Sequence, residues 1–249
     1  MKEMITERLI LSKITLKDLD IFHFFYSDKE INELEILNIK KSRYESEKFL
    51  KEIISGKYTI NYFIIKKLNT SEVISSISFR IIDNNFFSGK LMYFLALKEN
   101  NQKIKAFYLN LVKMDGFGFY HSDNFTAAID NIKNMDEPIW LEMEKLVNEN
   151  NIFNGKFVSV GYKLKKEYRG NGYAEESLRK IIKYLFIENN IYDGIAATVN
   201  VKNLNSKKLL EKCMFSKKLD YKIIIEKKYR TKITSAECFQ LLKKEYTHI

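Results

Sequence analysis

Residues 169–174 read Arg-Gly-Asn-Gly-Tyr-Ala and join a strand-like run, Phe157–Leu164, to a helix-like run, Glu175–Glu188. A glycine-rich turn that opens into a helix leaves several backbone N–H groups without intrahelical partners, and the positive end of the helix dipole lies behind them. The pattern therefore predicts an anion-binding turn. Gly170 and Gly172 are glycines because a side chain there would block the approach of a phosphate.

Residue identity separates three phosphate-binding turns. A P-loop ends in Gly-Lys-Ser/Thr, whereas Tyr173 and Ala174 follow Gly172 in this chain. A dinucleotide-binding turn needs a third small residue where Glu175 stands, and a charged, bulky side chain there would prevent close packing of the helix on its strand. The remaining pattern is Arg/Gln-x-x-Gly-x-Gly/Ala, which Arg169, Gly172 and Ala174 satisfy.

This turn and three other stretches resemble the GNAT acyltransferases, in particular the branch that acetylates ribosomal-protein N-termini. Thr6–Leu11 is similar to the first strand of that branch, and Leu241–Tyr246 is similar to its last strand and tail. Asn203–Ser206 is similar to its Asn-x-x-Ser helix. That helix usually ends in Leu-Gly-Phe, but residues 213–215 read Cys-Met-Phe, so the glycine that would make an easy left-handed helix stop is missing.

The resemblance implies an α/β GNAT fold in one domain, residues 1–249, with a central, mixed, mostly antiparallel sheet flanked by helices. It also implies that the strand ending at Leu164 diverges from the strand Ile195–Asn200, and that the pantetheine arm of acetyl-CoA lies in the gap. Backbone groups of Tyr162 and Leu164 would bind the arm. The turn would hold the pyrophosphate through Arg169, Gly170, Asn171, Gly172, Tyr173 and Ala174.

Catalysis in this family would be direct attack of a primary amine on the thioester in a ternary complex, without a metal. The resemblance makes Ser206 the candidate donor of a hydrogen bond to the leaving thiolate. It makes Asn203 the candidate ligand of the pantetheine arm or of an ordered water. Both residue types are also ordinary helix caps. The acceptor is a protein N-terminus or a small-molecule amine, and the sequence does not decide between them.

The general base is not identified by any motif. The candidates are Ser159, Glu33, Glu35 and His121. Ser159 could position a water, exposed glutamates in loops are usually only solvated, and a lone histidine is more often a surface or packing residue than a base. Arg8 and Arg169 are interpreted as structural, with Arg169 as an anchor of the turn.

An extra segment, about residues 84–154, has no counterpart in the family. Asp136 and Pro138 are typical of a helix start, and apolar residues at helical spacing follow them, so we expect the segment to be partly helical. We expect it to form a wall over the amine site. The alternative is a packing extension or a homodimer surface.

The composition fits a globular protein of 249 residues, 45% hydrophobic and 30% charged. A net charge of +10 permits a nucleic-acid partner, but no basic cluster alternates with aromatic residues, so that function ranks third, behind a non-catalytic CoA-binding module. Cys213 and Cys238 are expected to be buried free thiols. No signal peptide or membrane span is predicted, and a cytoplasmic location is expected.

Periodicity and turn residues predict the other elements. Thr15 with Asp18 and Ser42 with Glu45 form capping boxes that start helices, and Gly194 is expected to end the helix after the turn. A further helix covers residues 204–214. The other predicted strands are Ile5–Lys13, Tyr58–Lys67, Val73–Ile82, Ile195–Asn200, Tyr221–Lys228 and Ile233–Lys243.

Overall fold

The computed structural model describes residues 3–35, 42–82, 141, 145, 155–227 and 230–246. The strands are β1 Met4–Ile5, β2 Leu9–Lys13, β3 Ile60–Lys67, β4 Val73–Ile82, β5 Phe157–Leu164, β6 Gly194–Asn200, β7 Ser216–Lys227 and β8 Arg230–Leu242. The α-helices in the described ranges are α1 Leu19–Ser27, α2 Lys29–Asn32, α3 Arg43–Ile54, α4 Tyr173–Lys183, α5 Leu204–Lys212 and α6 Lys243–Tyr246. The extra segment lies outside the described residues, except for Leu141 and Lys145, which are helical.

The described strands form one sheet in the order β1-β2-β3-β4-β5-β6-β8-β7. All neighbouring pairs are antiparallel except β5 and β6, which are parallel. The predicted mixed, mostly antiparallel sheet flanked by helices is therefore confirmed. Its one parallel pair includes the strand that leads into the glycine-rich turn.

Helix α4 covers one face of the sheet. Its apolar stripe, Leu178, Ile181 and Ile182, is buried together with Val158 and Val160 of β5. Burial of each large aliphatic side chain contributes about 1.5–3 kcal/mol, so this packing holds the turn before α4 against the end of β5. We call this side of the sheet the α4 face.

Helices α1 and α3 cover part of the opposite face. Phe22 of α1 and Leu50 of α3 are fully buried with Tyr62 and Ile64 of β3. Helix α3 starts at the predicted box of Ser42 and Glu45, whereas the box of Thr15 and Asp18 starts a 3-10 turn, Leu16–Asp18, that leads into α1. Within α3, Leu50 and Ile53 are buried, whereas Ile54 in the last turn is 44% exposed. We call this side the α1–α3 face.

Several predicted boundaries differ from the structure; β7, for example, begins at Ser216 instead of Tyr221. The strand predicted over residues 5–13 is interrupted, because the chain turns at Thr6 and continues antiparallel to itself as β1 and β2. Gly194 does not end the helix after the turn but is the first residue of β6. A Cβ atom there would lie 2.1 Å from the ring of Phe157, so its small size serves packing between two strands.

Helix α5 ends in a left-handed residue, although the glycine expected in that position is missing. Met214 adopts φ +71°, in the left-handed region, and Phe215 donates its backbone N–H to the carbonyl of Leu210 at 2.9 Å. A left-handed residue of this kind commonly satisfies the last carbonyls of a helix. The helix stop is therefore present, with methionine in the position that glycine would occupy more easily.

Candidate functional site

A notch opens between β5 and β6. The two strands pair only over Phe157–Ser159 and Gly194–Ala196. Beyond that point, β5 stays paired with β4 as far as Leu164, and β6 stays paired with β8 as far as Asn200. The five residues Val160–Leu164 therefore line one side of a V-shaped gap roughly 13 Å long, since a strand rises about 3.3 Å per residue.

The register shows which backbone groups of β5 face the notch. Lys165 donates its N–H to the carbonyl of Ile74 at 3.0 Å, on the β4 side. Backbone groups of an antiparallel strand point to alternate sides, so those of Val160, Tyr162 and Leu164 point toward β6, where the ladder has ended. Unpaired backbone groups at a strand edge are the groups that an extended, amide-containing ligand can bind.

The glycine-rich turn lies at the open end of the notch, after a short 3-10 helix that follows β5. Gly170 and Gly172 have φ values of +81° and +80°, which glycine adopts without strain. The first helical hydrogen bond runs from the N–H of Glu176 to the carbonyl of Gly172 at 3.0 Å. The N–H groups of Tyr173 and Ala174 thus precede the first intrahelical bond, as an anion-binding helix start requires.

The anchor of the turn is Arg8, not Arg169. Arg8 lies in the turn between β1 and β2, and its Nη1 donates to the carbonyl of Asn171 at 3.1 Å. Its guanidinium also forms an ion pair with Glu176 of α4, with Nη2 2.7 Å from Oε2. The side chain of Arg169 forms no hydrogen bond with the described residues. Sequence reasoning missed this because the contact joins residues 163 positions apart.

Asn203 and Ser206 lie at the start of α5, directly after β6, on the other side of the open end of the notch. Asn203 is the N-cap, and its Oδ1 accepts a hydrogen bond from the N–H of Ser206 at 3.1 Å. The hydroxyl of Tyr162 donates to the carbonyl of Ser206 at 3.4 Å, which links β5 to α5. The Ser206 Oγ and the Asn203 Nδ2 form no hydrogen bond with the described residues.

The environment of Tyr162 keeps its hydroxyl protonated. Burial raises the pKa of Tyr162 to about 12, although its hydrogen bond to Ser206 opposes the shift. A phenol with this pKa remains neutral at physiological pH and can act as a hydrogen-bond donor there. The structure therefore brings together the predicted residues Tyr162, Asn203 and Ser206 at one end of the notch.

On the α1–α3 face, Lys163 reaches from β5 to the segment after α1. Its Nζ lies 2.5 Å from Oδ1 of Asn32 and 3.1 Å from Oε1 of Glu35. It also lies 5.0 Å from the ring centroid of Tyr26. Only 13% of the Lys163 side chain is exposed, against 40% for Glu35. The sequence offered no sign that this lysine would be largely buried and paired.

The candidate bases do not come together. Glu35 is next to β5 through Lys163, whereas Glu33 is exposed at the end of α2. Ser159 is half-buried at the vertex of the notch, in register with Ala196. His121 lies outside the described residues.

A further polar group at the vertex was missed. Gln240 of β8 is in register with Ala196 and is 1% exposed. Its Oε1 atom is buried and has no hydrogen-bond partner among the described residues. Directly paired residues share a face of the sheet, so Gln240, Ala196 and Ser159 lie side by side on the α1–α3 face. This face of the vertex is therefore polar rather than apolar.

The described part of the chain has neither a cluster of metal ligands nor a membrane-spanning helix. No group of three or more His, Cys, Asp or Glu side chains is placed to hold a metal ion. No helix in the described ranges has the length and apolar character needed to cross a bilayer.

Comparison with known proteins finds similarity to acetyltransferases over part of the chain. Residues 141–216 match the family model described as an acetyltransferase (GNAT) domain, and this range includes β5, the turn, α4, β6 and α5. The uncharacterized N-acetyltransferase p20 of Bacillus licheniformis is 34% identical over 96 residues, which cover 37% of this chain and 50% of that protein. The chain thus spans about half the length of the curated relative that it matches.

Solved structures share the fold over nearly the whole chain. A spermidine N-acetyltransferase from Vibrio cholerae, in complex with CoA and spermine, has a TM-score of 0.58 at 13% identity and covers 97% of this chain and 99% of its own. A ribosomal-protein-S5-alanine acetyltransferase from Vibrio fischeri has a TM-score of 0.57 at 14% identity and covers 99% of each chain. At these identities the two structures show a shared fold, and the match to the acetyltransferase (GNAT) domain itself covers residues 141–216.

Proposed function

We propose that this protein, as a single GNAT domain, is an N-acetyltransferase that transfers the acetyl group of acetyl-CoA to a primary amine by direct attack in a ternary complex. The observation that carries the proposal is the notch between β5 and β6, which ends at a glycine turn with unpaired N–H groups. An extended amide arm and a diphosphate are two consecutive parts of CoA, and the notch and the turn match them in chemistry and in order along the chain.

Acetyl-CoA supplies an activated acyl group, as a thioester. The backbone of Val160, Tyr162 and Leu164 would bind the amides of the arm, and one N–H of this edge would donate to the thioester oxygen as negative charge develops there. The Oγ of Ser206 would donate a hydrogen bond to the sulfur as the C–S bond breaks. The nitrogen of the amine forms the new bond to the carbonyl carbon, and its surplus proton leaves to water or to a base.

Binding and turnover test the proposal separately. Calorimetry should detect acetyl-CoA binding, and free thiol should appear when amines are supplied from five classes: N-terminal peptides, lysine peptides, polyamines, amino sugars and aminoglycosides. Binding without thiol release with any amine would indicate a non-catalytic CoA module instead. Failure of folded protein to bind either CoA or acetyl-CoA would refute the proposal altogether.

The acceptor amine is expected to enter on the α1–α3 face, beside Glu35. The two structural relatives named above act on a polyamine and on a ribosomal-protein alanine, so both classes are candidate acceptors for this chain. The Glu35 carboxylate is 3.1 Å from Lys163 Nζ, and Lys163 follows directly on Tyr162, which lines the notch. A carboxylate in this position can attract an ammonium group or accept its proton through a water.

Substitution of Glu35 tests this placement. Glu35→Gln should raise the KM for the amine about two- to fivefold, as expected for loss of a partly exposed charge worth up to ~1 kcal/mol, and should leave the affinity for acetyl-CoA unchanged. Glu30→Gln is the matched control, because Glu30 pairs with Lys166 in an exposed ion pair of α2. If both substitutions change the KM for the amine equally, or if Glu35→Gln does not change it, Glu35 is not part of the acceptor site.

The extra segment is proposed to form a wall of the acceptor site. Ile82 and Phe157 are paired, so the segment leaves and re-enters the sheet at the closed end of the notch, opposite the glycine turn. Deletion of residues 86–151 should then alter the range of acceptors and keep the affinity for acetyl-CoA. Unchanged turnover with every acceptor, in a variant that still folds cooperatively, would contradict this role.

A further inference from the structure

Arg8 and Glu176 connect the start of the chain to the glycine turn through a dense set of polar contacts. Glu176 Oε1 accepts hydrogen bonds from the backbone N–H of Arg8 at 2.9 Å and from the hydroxyl of Thr6 at 2.6 Å. Glu176 Oε2 accepts from Nε of Arg8 at 2.7 Å, and Nη2 lies 2.7 Å from the same oxygen. The third guanidinium nitrogen, Nη1, donates to the carbonyl of Asn171 at 3.1 Å.

The contact with Asn171 sets the direction of a peptide unit in the turn. In a trans peptide, the C=O and the following N–H point in opposite directions. Because the carbonyl of Asn171 points to Arg8, the N–H of Gly172 points away from Arg8, on the side that is free to receive a ligand. The guanidinium also lies over the ring of Tyr173, 4.7 Å from its centroid, and Nη2 lies 3.3 Å from the position of a Cβ on Gly172.

The same contacts compensate the negative charge of Glu176, which would otherwise oppose anion binding. Glu176 is in the first turn of α4, close to the proposed pyrophosphate position. Although partial burial raises the pKa of Glu176, the hydrogen bonds from Thr6 and Arg8 lower it below its usual value overall. The carboxylate is therefore ionised at neutral pH, and the guanidinium beside it compensates its charge.

We propose that Arg8 is a positioning residue that holds the turn in its anion-binding conformation and neutralises Glu176, a role that rests on the proposed function. Arg8 acts through the backbone of Asn171 and Gly172, and the pyrophosphate contacts the N–H groups that this arrangement presents. The Thr-x-Arg stretch at the start of the chain thereby belongs to the donor site, although it lies more than 160 positions before the turn in sequence.

The test compares a donor that has a diphosphate with one that lacks it. Arg8→Met should weaken acetyl-CoA binding about tenfold to a hundredfold, which is typical of losing hydrogen bonds to a charged group. The kcat/KM for S-acetylpantetheine, which has the amide arm and thioester but no diphosphate, should stay within about twofold of wild type. Arg8→Lys keeps the charge without the planar fork, and should bind acetyl-CoA with intermediate affinity.

Arg179→Met is the matched control. Arg179 also forms an arginine–glutamate ion pair on α4, with Glu175 at 2.9 Å, but its other contact is the carbonyl of Lys212 at the end of α5. The Arg179→Met variant should bind acetyl-CoA with the wild-type affinity. The inference is overturned if Arg8→Met binds acetyl-CoA as wild type does, or if it loses S-acetylpantetheine turnover by the same factor. If wild type itself binds no acetyl-CoA, the proposed function fails first, and this role fails with it.

Discussion

The side chain of Asn203 offers two different groups, and substitutions can remove them one at a time. Its Oδ1 caps α5 by accepting the N–H of Ser206 at 3.1 Å. Its Nδ2 forms no hydrogen bond with the described residues and is the group proposed to bind the pantetheine arm or an ordered water. Asn203→Ala removes both groups, whereas Asn203→Asp keeps the cap and removes only the amide donor.

The expected magnitudes follow from these contacts. Loss of an N-cap acceptor costs about 0.5–2 kcal/mol, so Asn203→Ala should lower the free energy of unfolding by about 1 kcal/mol, or the Tm by roughly 2–4 °C for a chain of this size. Asn203→Asp should unfold at or slightly above the wild-type temperature, because a carboxylate at a helix N-terminus is stabilised by the dipole. Both variants should weaken acetyl-CoA binding about two- to tenfold, the effect of losing one hydrogen bond.

Thermal unfolding and calorimetry with acetyl-CoA give the two measurements. Ser42→Ala provides the control, because Ser42 caps α3, accepting from the N–H of Glu45 at 3.2 Å, at a helix end that does not border the notch. It should lose similar stability with no change in acetyl-CoA affinity. If Asn203→Asp binds acetyl-CoA as wild type does, Asn203 is only a helix cap. If Asn203→Asp is as unstable as Asn203→Ala, the loss of stability does not come from loss of the helix cap.

Three other predictions concern the turn, the leaving group and the thiols. Gly172→Ala and Gly170→Ala should each introduce about 1–2 kcal/mol of backbone strain. Calorimetry should show weaker acetyl-CoA binding for Gly172→Ala than for Gly170→Ala, because only a Cβ on Gly172 would lie close to the Arg8 guanidinium, 3.3 Å from Nη2. Equal losses of affinity in the two variants would exclude an effect of this contact. Ser206→Ala should lower kcat about tenfold to a hundredfold with little change in the KM for acetyl-CoA, and an unchanged kcat would exclude a role at the sulfur. Burial raises the pKa of Cys213 to about 11 and that of Cys238 to about 12. A disulfide reagent at pH 8 should therefore label neither thiol until denaturant is added. Fast labelling of the native protein would show instead that the thiols are accessible.

Features that depend on local sequence could be predicted. The glycines of the turn, the strand-like run Phe157–Leu164 and the two capping boxes each depend on residues close together in the chain, and the structure has them where the sequence indicates. The divergence of β5 from β6 was expected only from the family resemblance. No local pattern marks Ser159 as the last paired residue, because the end of a ladder depends on two strands at once.

Features that depend on distant residues could not be predicted. Arg169, the first residue of the turn, was expected to anchor it, but Arg8 makes the contact from the turn between β1 and β2. No pattern in the sequence marks Lys163 as buried and paired, and only the fold places Asn32 and Glu35 against it. Met214 in the left-handed region is a third case, because packing of α5 imposes a conformation that the residue does not favour by itself.

The two substrate sites use different parts of the chain, which explains why the donor could be inferred and the acceptor could not. The donor site is proposed to consist largely of backbone groups, namely the free edge of β5 and the N–H groups of the turn. Such groups depend on the path of the backbone more than on particular side chains, so the proposed donor site could be inferred from the strand, the glycine turn and the helix that follows it. The acceptor side is proposed to consist of side chains such as Glu35, Lys163 and Gln240, which can change without altering the fold. Substitutions on that face should therefore change amine preference at constant acetyl-CoA affinity, and the amine screen is the experiment that identifies the acceptor.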